Sequence, residues 1–174
     1  MNIEIELSKK SVNSAIKRLR QLEKNYPSIK KLFIRRSLEY IQERAKIYIQ
    51  SYEAETQASG RKTWYTPTGE LMNSWIIDET TGLLSNVCDH AAWYEYGTGS
   101  VGASNPHPQK REGYEYDVND HGADGWWFKF EDEWRWIRGM KAHPYLHNAV
   151  KDYIHTNKYK EIFRNAVSEI EKGL

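Results

Sequence analysis

Cysteine is almost missing from this sequence, with Cys88 the only one among 174 residues. A single cysteine excludes an intramolecular disulfide and leaves no thiolate pair of the kind that holds structural zinc. Stability must therefore come from packing, which is compatible with a reducing compartment. A chain of this length can bury about two thirds of its unfolded surface in one core. We therefore expect a single domain over residues 1–174.

Long apolar runs are absent as well. The first residues, MNIEIELSKKS, alternate polar and apolar side chains and lack the basic start and apolar run of a signal peptide. No stretch approaches the roughly 18 apolar residues that cross a membrane. The sequence thus predicts a soluble protein with no membrane partner. Its formal net charge of +1 argues against a general nucleic-acid-binding protein.

The signatures of nucleotide binding are incomplete. Gly97, Gly99 and Gly102 have the spacing of a dinucleotide-binding G-x-G-x-x-G. In that motif the third glycine opens a helix whose amides meet the phosphates. Pro106 and Pro108 stand where the helix should run, so the glycines indicate a loop, and we predict a mobile loop over about 97–125.

Metal and nucleophile signatures are also incomplete. The segment DVNDHGADGWWF resembles a calcium loop but has His121 and Phe128 where oxygen ligands are needed. His143 and His147 are four apart without the glutamate of H-E-x-x-H. Cys88 ends an apolar segment, where a small buried residue is its commoner role. We expect no cofactor, no metal and no catalysis.

Periodicity predicts an α+β fold with a small antiparallel sheet packed against a long N-terminal helix and a C-terminal helix. The expected order is a strand over 2–7, a helix capped by Ser11 that ends before Pro27, and a second helix capped by Ser28. A polar loop, ETQASGRK, precedes two strands in SWIIDETTGLLSNVC. HAAWYEYG is ambiguous between helix and strand. A hairpin in WWFKFEDEWRWIRG, a helix begun by Pro144 and a last helix ended by Gly173 complete the chain.

Apolar positions recur at helical spacing within the predicted helices. The first predicted helix carries Val12, Ala15, Ile16, Leu19 and Leu22, and the second carries Ile34, Leu38, Ile41, Ala45, Tyr48 and Tyr52. The last two carry Leu146, Ala149, Val150 and Tyr153, then Ile162, Phe163, Ala166 and Ile170. We expect the stripe of the second helix to stay buried along about five turns, and the stripes of the last two helices to be buried as well.

Charge is segregated along the chain. Between residues 9 and 36 the cations outnumber the single acid Glu23; they are Lys9, Lys10, Lys17, Arg18, Arg20, Lys24, Lys30, Lys31, Arg35 and Arg36. Between 112 and 133 the acids outnumber Lys129; they are Glu112, Glu115, Asp117, Asp120, Asp124, Glu131, Asp132 and Glu133. Such polarity suits either a subunit that stacks head to tail on copies of itself or a monomer with two solvated faces.

Aromatic residues are abundant for so polar a chain, with seven Trp and twelve Tyr. Aromatic side chains are enriched where proteins contact one another. In the predicted hairpin Trp134 and Trp136 share one side, and cross-strand aromatic pairs can hold the two strands together. The candidate interface residues are Trp126, Trp127, Trp134, Trp136, Asp117, Asp120 and Asp124.

Three segments in order, TPTGELMNSW (66–75), HAAWYEYGTGSVG (90–102) and WRWIRGMKAHPYLHNAV (134–150), give the chain a family resemblance. It resembles the tail-completion, or head-tail joining, family of long-tailed bacteriophages, also described as minor tail protein Z-like. The family pattern is T-G-x-L-x-x-S, then A-x-Y-x-E-[FY]-G-T-G, then G-x-x-A-x-P-[FY]-L-x-x-A; in this chain Glu95 follows Tyr94 directly, one position earlier than in the second pattern. Matching residues are Thr68, Gly69, Leu71 and Ser74; Ala92, Tyr94, Glu95, Tyr96, Gly97, Thr98 and Gly99; and Gly139, Ala142, Pro144, Tyr145, Leu146 and Ala149.

The resemblance implies a structural, non-enzymatic virion protein from a free phage or a prophage. Such a protein assembles on itself, as a ring of six, between the head connector and the tail tube or tail terminator. It resides in the neck or tail of the virion and, before assembly, in the host cytoplasm. The long acidic loop over 100–125 and the many tryptophans of the hairpin depart from the family pattern, so contacts made there are expected to differ.

Two alternatives come from other functional classes. The first is a metal-dependent hydrolase that uses His107, Asp117, His121 and His143. The second is a weak, sequence-independent contact with DNA through the cations from Lys9 to Arg36, which would fade as salt rises. Metal analysis and duplex binding at low salt separate these alternatives from the structural role.

Overall fold

A computed structural model describes residues 9–58, 68–109, 112–117, 120–121, 124–130 and 132–172. Its elements are α1 (Lys9–Ala58), α2 (Glu70–Asn73), β1 (Trp75–Asp78), β2 (Leu83–Asn86), α3 (Ala91–Tyr96), α4 (Gly99–Ser104), β3 (Trp126–Phe130), β4 (Glu133–Ile137), α5 (Tyr145–His155) and α6 (Lys158–Lys172). This arrangement confirms the α+β fold class. The predicted strand over 2–7, Gly173 and the second half of the polar loop ETQASGRK lie outside the described residues, whereas the first half of that predicted loop, 55–58, is helical and ends α1.

The helix α1 is the longest element and organises the rest. It has 50 residues and is about 75 Å long at the usual rise per residue. Helices α5 and α6 pack one after the other along α1, and both run antiparallel to it. The bonds from Asn148 to Tyr52 and from Tyr153 to Ser37, and the ion pair between Arg18 and Glu171, mark successive points along this contact.

The predicted break at Pro27 is wrong, because α1 runs through it. Apolar residues on both sides of the proline pack against the same partner helix: Leu22 precedes Pro27, Ile29 and Leu32 follow it, and all three lie against α6 around Ala166. A proline inside a helix removes one hydrogen bond and crowds the carbonyl four residues before it. Packing on α6 outweighs that local cost.

The apolar stripe of the first predicted helix is largely exposed. Val12, Ile16 and Leu19 are 39%, 41% and 65% exposed. For Val12 and Ile16 the reason is the length of the partner helix, since α6 ends at Lys172 and its Glu171 already pairs with Arg18, whereas Leu19 lies off the contact face. The turns of α1 before Arg18 extend past α6. We call residues 12–24 the basic arm.

Both predicted hairpins are confirmed, and they are separate two-stranded antiparallel sheets. In the first, Trp75 pairs with Asn86 and Asp78 with Leu83 around the turn at 79–82. The Asp78 carboxylate accepts bonds from the backbone amides of Thr80 and Thr81, which fixes that turn. In the second hairpin, formed by β3 and β4, Trp127 pairs with Trp136. We call it the aromatic hairpin.

The main core lies where α1, α5 and the short elements between residues 70 and 96 meet. Its buried members are Ala45, Ile49, Leu71, Cys88, Ala91, Tyr94, Tyr145 and Ala149. Ala45 and Ala149 are fully buried, and such small side chains let α1 and α5 approach closely. The stripe predicted for the second half of α1 is thus confirmed, whereas Val150 and Phe163, predicted buried, are exposed because the contact face of each helix is narrower.

The segment after residue 90 contains more helix than predicted. HAAWYEYG forms the helix α3, which resolves its ambiguity. A second short helix, α4, occupies Gly99–Ser104, where a loop was expected. The helix α4 begins at Gly99, the second glycine of the G-x-G-x-x-G spacing, and ends before Pro106. The proline therefore limits how far the helix extends but does not prevent it from forming. None of the helices in the described parts of the chain could span a membrane.

Candidate functional site

The family-motif segments are the three stretches that carry the resemblance, described over 68–75, 90–102 and 134–150. They pack together around α5. The backbones of Thr98 and Met140 form an isolated antiparallel bridge. Each amide donates to the other residue's carbonyl, with nitrogen-to-oxygen distances of 2.9 and 3.1 Å. The His143 amide donates to the Tyr94 carbonyl at 2.9 Å, and the two rings stack with centroids 4.7 Å apart. The second and third motif segments therefore form one rigid unit, although about 40 residues separate them in the sequence.

Glu95 lies at the centre of this unit and is 6% exposed. Its two carboxylate oxygens accept hydrogen bonds from the backbone amides of Leu146 and His147, each at 2.9 Å. These amides belong to the first turn of α5 and have no partner within the helix. His107 Nε2 lies 3.0 Å from the same carboxylate. Glu95 therefore caps α5 from a distant part of the chain.

Motif glycines occur where backbones touch. Gly97, Gly99 and Gly139 all have positive φ, at 83°, 61° and 90°. A Cβ on Gly139 would lie 2.0 Å from the Thr98 carbonyl oxygen, and one on Gly99 would lie 2.5 Å from that of Arg138. These glycines allow close packing of α4 against 138–142, so the G-x-G-x-x-G spacing does not mark a phosphate loop.

The first motif segment supports the same core from the other side. Leu71 is almost completely buried, and the Trp75 ring meets the Tyr145 ring edge-on at 6.1 Å. Gly69 caps α2 with a φ of 79°, and the Thr68 hydroxyl accepts a bond from the Glu70 amide. The Ser74 carbonyl receives the Val87 amide at 2.8 Å. Tyr96 contacts His107 and Tyr114, whose hydroxyl donates to the Gly97 carbonyl.

The aromatic hairpin presents large apolar side chains to solvent. Trp127, Trp134 and Trp136 are 60%, 63% and 48% exposed. Their register places them on one face, with Trp127 and Trp136 in edge-to-face contact at 5.6 Å. Trp126, on the other face, packs towards Gly99 and stacks on the ring of His121. The predicted cross-strand aromatic pairing is confirmed, and the exposure of three tryptophans makes this face the candidate interaction surface.

Asp124 and an open groove adjoin this face. The groove, of about 580 Å³, lies between α4 and β4 and is lined by Val101, Asn105, Asp124, Trp136 and Arg138 among others. Among the residues that the structure describes, Glu112, Glu115, Asp120 and Asp124 form no ion pair, whereas Asp132 pairs with Lys129 and Glu133 with Arg135. The predicted interface residue Asp117 is exposed in the same segment. We call the described residues of 112–124 the acidic segment.

The basic arm carries charge opposite to that of the acidic segment. Arg18 pairs with Glu171, Lys31 with Glu79, and Arg36 with Glu169. Within the described part of the chain, Lys17, Arg20 and Lys24 have no carboxylate partner. They form a row beside the exposed stripe of Val12, Ile16 and Leu19, because 17, 20 and 24 follow helical spacing. An apolar stripe flanked by unpaired cations thus extends from one end of the subunit.

The residues of the alternative hydrolase do not converge. His107 binds Glu95, His121 stacks on Trp126, and His143 stacks on Tyr94. Burial, with a smaller contribution from Lys141, lowers the pKa of His143 to about 4, so its imidazole is neutral at physiological pH. The geometry therefore does not support a shared metal centre for these residues and Asp117.

Sequence reasoning missed a different cluster. Glu70, Cys88 and His90 place their donor atoms within 4.8 Å of one another, the one such group among the described residues. Burial raises the pKa of the Cys88 thiol. The C-x-H spacing of Cys88 and His90 was visible in the sequence, but Glu70 is 18 positions earlier and only the fold brings it there.

Comparisons with protein-family models, with curated proteins and with solved structures give no match for this chain. Function must therefore be argued from the motifs and the geometry. The fold and the site together define an α+β scaffold with an interlocked motif unit, an exposed aromatic hairpin and a projecting basic arm.

Proposed function

We propose that this chain is a structural protein of a tailed phage or prophage that joins the head connector to the tail tube. In this role it assembles head to tail on copies of itself, as a ring that the family resemblance implies to have six members. The motif residues serve as scaffold, and the aromatic hairpin and the basic arm make the contacts. The virion neck is the proposed location, and the connector and the tail tube or terminator are the other partners.

The observation that carries the proposal is a pair of complementary surfaces on one subunit. The basic arm offers an apolar stripe and the unpaired cations Lys17, Arg20 and Lys24. The aromatic hairpin offers exposed tryptophans, and the acidic segment offers the carboxylates of Glu112, Glu115, Asp120 and Asp124, which form no ion pair among the residues that the structure describes. Two different patches that match each other form a heterologous contact, which closes into a ring when the rotation between subunits permits.

The composition of the arm favours a protein partner over DNA. Phosphates would attract the cations, but they would leave the apolar stripe in water. Trp127, Trp134 and Trp136 can cover that stripe, and each is already exposed. Aromatic anchors surrounded by charged residues are typical of protein interfaces. Contact with DNA is thus secondary, and it predicts only salt-sensitive binding.

The experiment is genetic complementation followed by electron microscopy. Removing the gene from the phage or prophage should leave separate heads and tails, and the wild-type protein supplied in trans should join them. The double variant Trp134→Ala/Trp136→Ala should keep its circular dichroism spectrum but fail to restore joined particles, because it removes exposed anchors.

Trp93→Ala is the matched control, since Trp93 is an exposed tryptophan on α3 away from the hairpin, and it should restore particles. Normal particle yield from the double variant would contradict the interface role of the hairpin. Unfolding of the double variant would instead show that the two side chains support the core.

A further inference from the structure

A cluster of three metal-ligand types lies at the junction of α2 with the segment that links β2 to α3. Glu70 is the first residue of α2, and Cys88 and His90 lie between β2 and α3. The Cys88 Sγ atom is 3.2 Å from His90 Nδ1 and 3.4 Å from Nε2. One donor atom from each of the three residues falls within 4.8 Å of the others.

The donors match zinc better than the hard cations. Thiolate and imidazole ligands select zinc and other transition metals, whereas magnesium and calcium prefer sites made wholly of oxygen. With Zn–S near 2.3 Å and Zn–N near 2.1 Å, a tetrahedral ion would set sulfur and nitrogen about 3.6 Å apart. The observed separations are a few tenths of an ångström shorter, and Sγ is almost equidistant from the two ring nitrogens, so the imidazole would have to turn one nitrogen lone pair towards the ion.

The side chain of Asn86 bridges the two segments that carry the cluster. The Asn86 amide group donates to the Leu71 carbonyl at 2.7 Å, and its carbonyl oxygen accepts the Cys88 amide at 3.0 Å. This side chain ties α2 to the segment that carries Cys88. The thiol itself is buried, whereas Glu70 is exposed and free to rotate towards it. The segment that carries Cys88 is thus tied to α2, and the exposed Glu70 side chain can adjust.

The charge around the cluster also suits a cation. Glu70 and the exposed Asp89 both place negative charge near the thiol. Negative charge on two sides of a buried sulfur lowers the energy of a divalent ion bound there. Solvent on the exposed side can supply the fourth ligand that tetrahedral zinc needs.

We propose that Glu70, Cys88 and His90 form a zinc-binding site that fastens the first family-motif segment to the start of the second. This inference is independent of the proposed function, because it concerns the stability of the subunit and involves no residue of the basic arm or the aromatic hairpin. Bound metal would link α2 to the β2–α3 connection in addition to the Asn86 bridge.

The test is titration of the purified full chain with Zn²⁺, and with Co²⁺ as a spectroscopic probe. We expect one equivalent of metal and, with Co²⁺, a thiolate-to-metal charge-transfer band. Cys88→Ser should abolish the band. Glu70→Gln should weaken zinc binding at least about tenfold, the loss that even outer-shell partners produce. His155→Ala, an exposed histidine on α5, should bind zinc as the wild type does.

Absence of stoichiometric zinc binding would overturn the site, as would equal binding by the wild type and Cys88→Ser. If Cys88→Ser fails to fold, Glu70→Gln decides the question, because Glu70 is exposed and its replacement leaves the core intact. Unchanged affinity in that variant would remove Glu70 from the site and contradict the proposal. Particle assembly plays no part in any of these outcomes.

Discussion

Single atoms decide how closely the family-motif segments approach each other. The Thr98 carbonyl oxygen lies where a Cβ of residue 139 would be, so only glycine fits there. Glu95 supplies the two acceptors that the first turn of α5 requires. Gly139 and Glu95 each contact residues that are about 40 to 50 positions away along the chain. Each could be replaced only by a residue that reproduces its backbone angle or its hydrogen bonds.

We predict that Gly139→Ala lowers the free energy of unfolding by at least about 3 kcal/mol, because the new methyl group meets backbone atoms and the φ of 90° is strained for alanine. Urea denaturation measures the loss. Gly113→Ala is the matched control, since Gly113 also has a positive φ, of 73°, but no atom within 4 Å of its Cβ position. Its loss should be only about 1 to 2 kcal/mol. Equal losses would contradict the close contact with Thr98.

At this scale the sequence was informative only about local geometry. Gly97 and Gly99 both have positive φ, a backbone conformation that glycine adopts readily. Their packing against residues 138–142 was not visible, because it depends on contacts between distant segments. The capping role of Glu95 was missed for the same reason: the amides that it binds lie 51 and 52 positions later.

Among the elements, those fixed by local patterns were predicted and those fixed by packing were not. The aromatic hairpin has alternating side chains around a short turn, so its strands were visible in the sequence. The helix α1 was divided at Pro27 because the rule for proline is local. Its continuity depends on α6, which lies more than 100 residues away in sequence. The helix α4 was missed because glycine is a poor helix former in isolation.

We predict that Pro27→Ala stabilises the protein by about 1 to 3 kcal/mol, since alanine restores the amide that α1 lacks at this exposed position. Thermal and urea denaturation measure the gain. Ser28→Ala, also exposed on the same turn, should change stability by no more than about 0.5 kcal/mol. A loss of stability in Pro27→Ala would indicate that the helix is interrupted there, as the sequence alone predicted.

For the whole molecule, segregated charge is the feature that sequence and structure share. The basic and acidic regions were evident from composition, but two interpretations, a stacking subunit and a solvated monomer, stayed open. The structure adds that the apolar stripe of the basic arm is exposed and that three tryptophans of the aromatic hairpin are exposed. Uncovered apolar surface beside unpaired charge favours the stacking subunit. The head-to-tail contact remains a proposal.

The most direct test of this contact is sedimentation velocity on two charge-reversed variants, alone and mixed. One carries Lys17→Glu, Arg20→Glu and Lys24→Glu in the basic arm. The other carries Glu115→Lys and Asp124→Lys in the acidic segment; Asp120 is left unchanged because its φ of 53° suits aspartate better than lysine. All five positions are exposed, so both variants should fold.

In a head-to-tail contact each reversed surface repels the native surface of its own kind of subunit but attracts the reversed surface of the other variant. We predict that the wild type forms an oligomer, that each variant alone sediments as a monomer, and that an equimolar mixture of the two restores the wild-type oligomer. A mixture that stays monomeric while the wild type assembles, or variants that assemble alone, would contradict the pairing of the basic arm with the acidic segment.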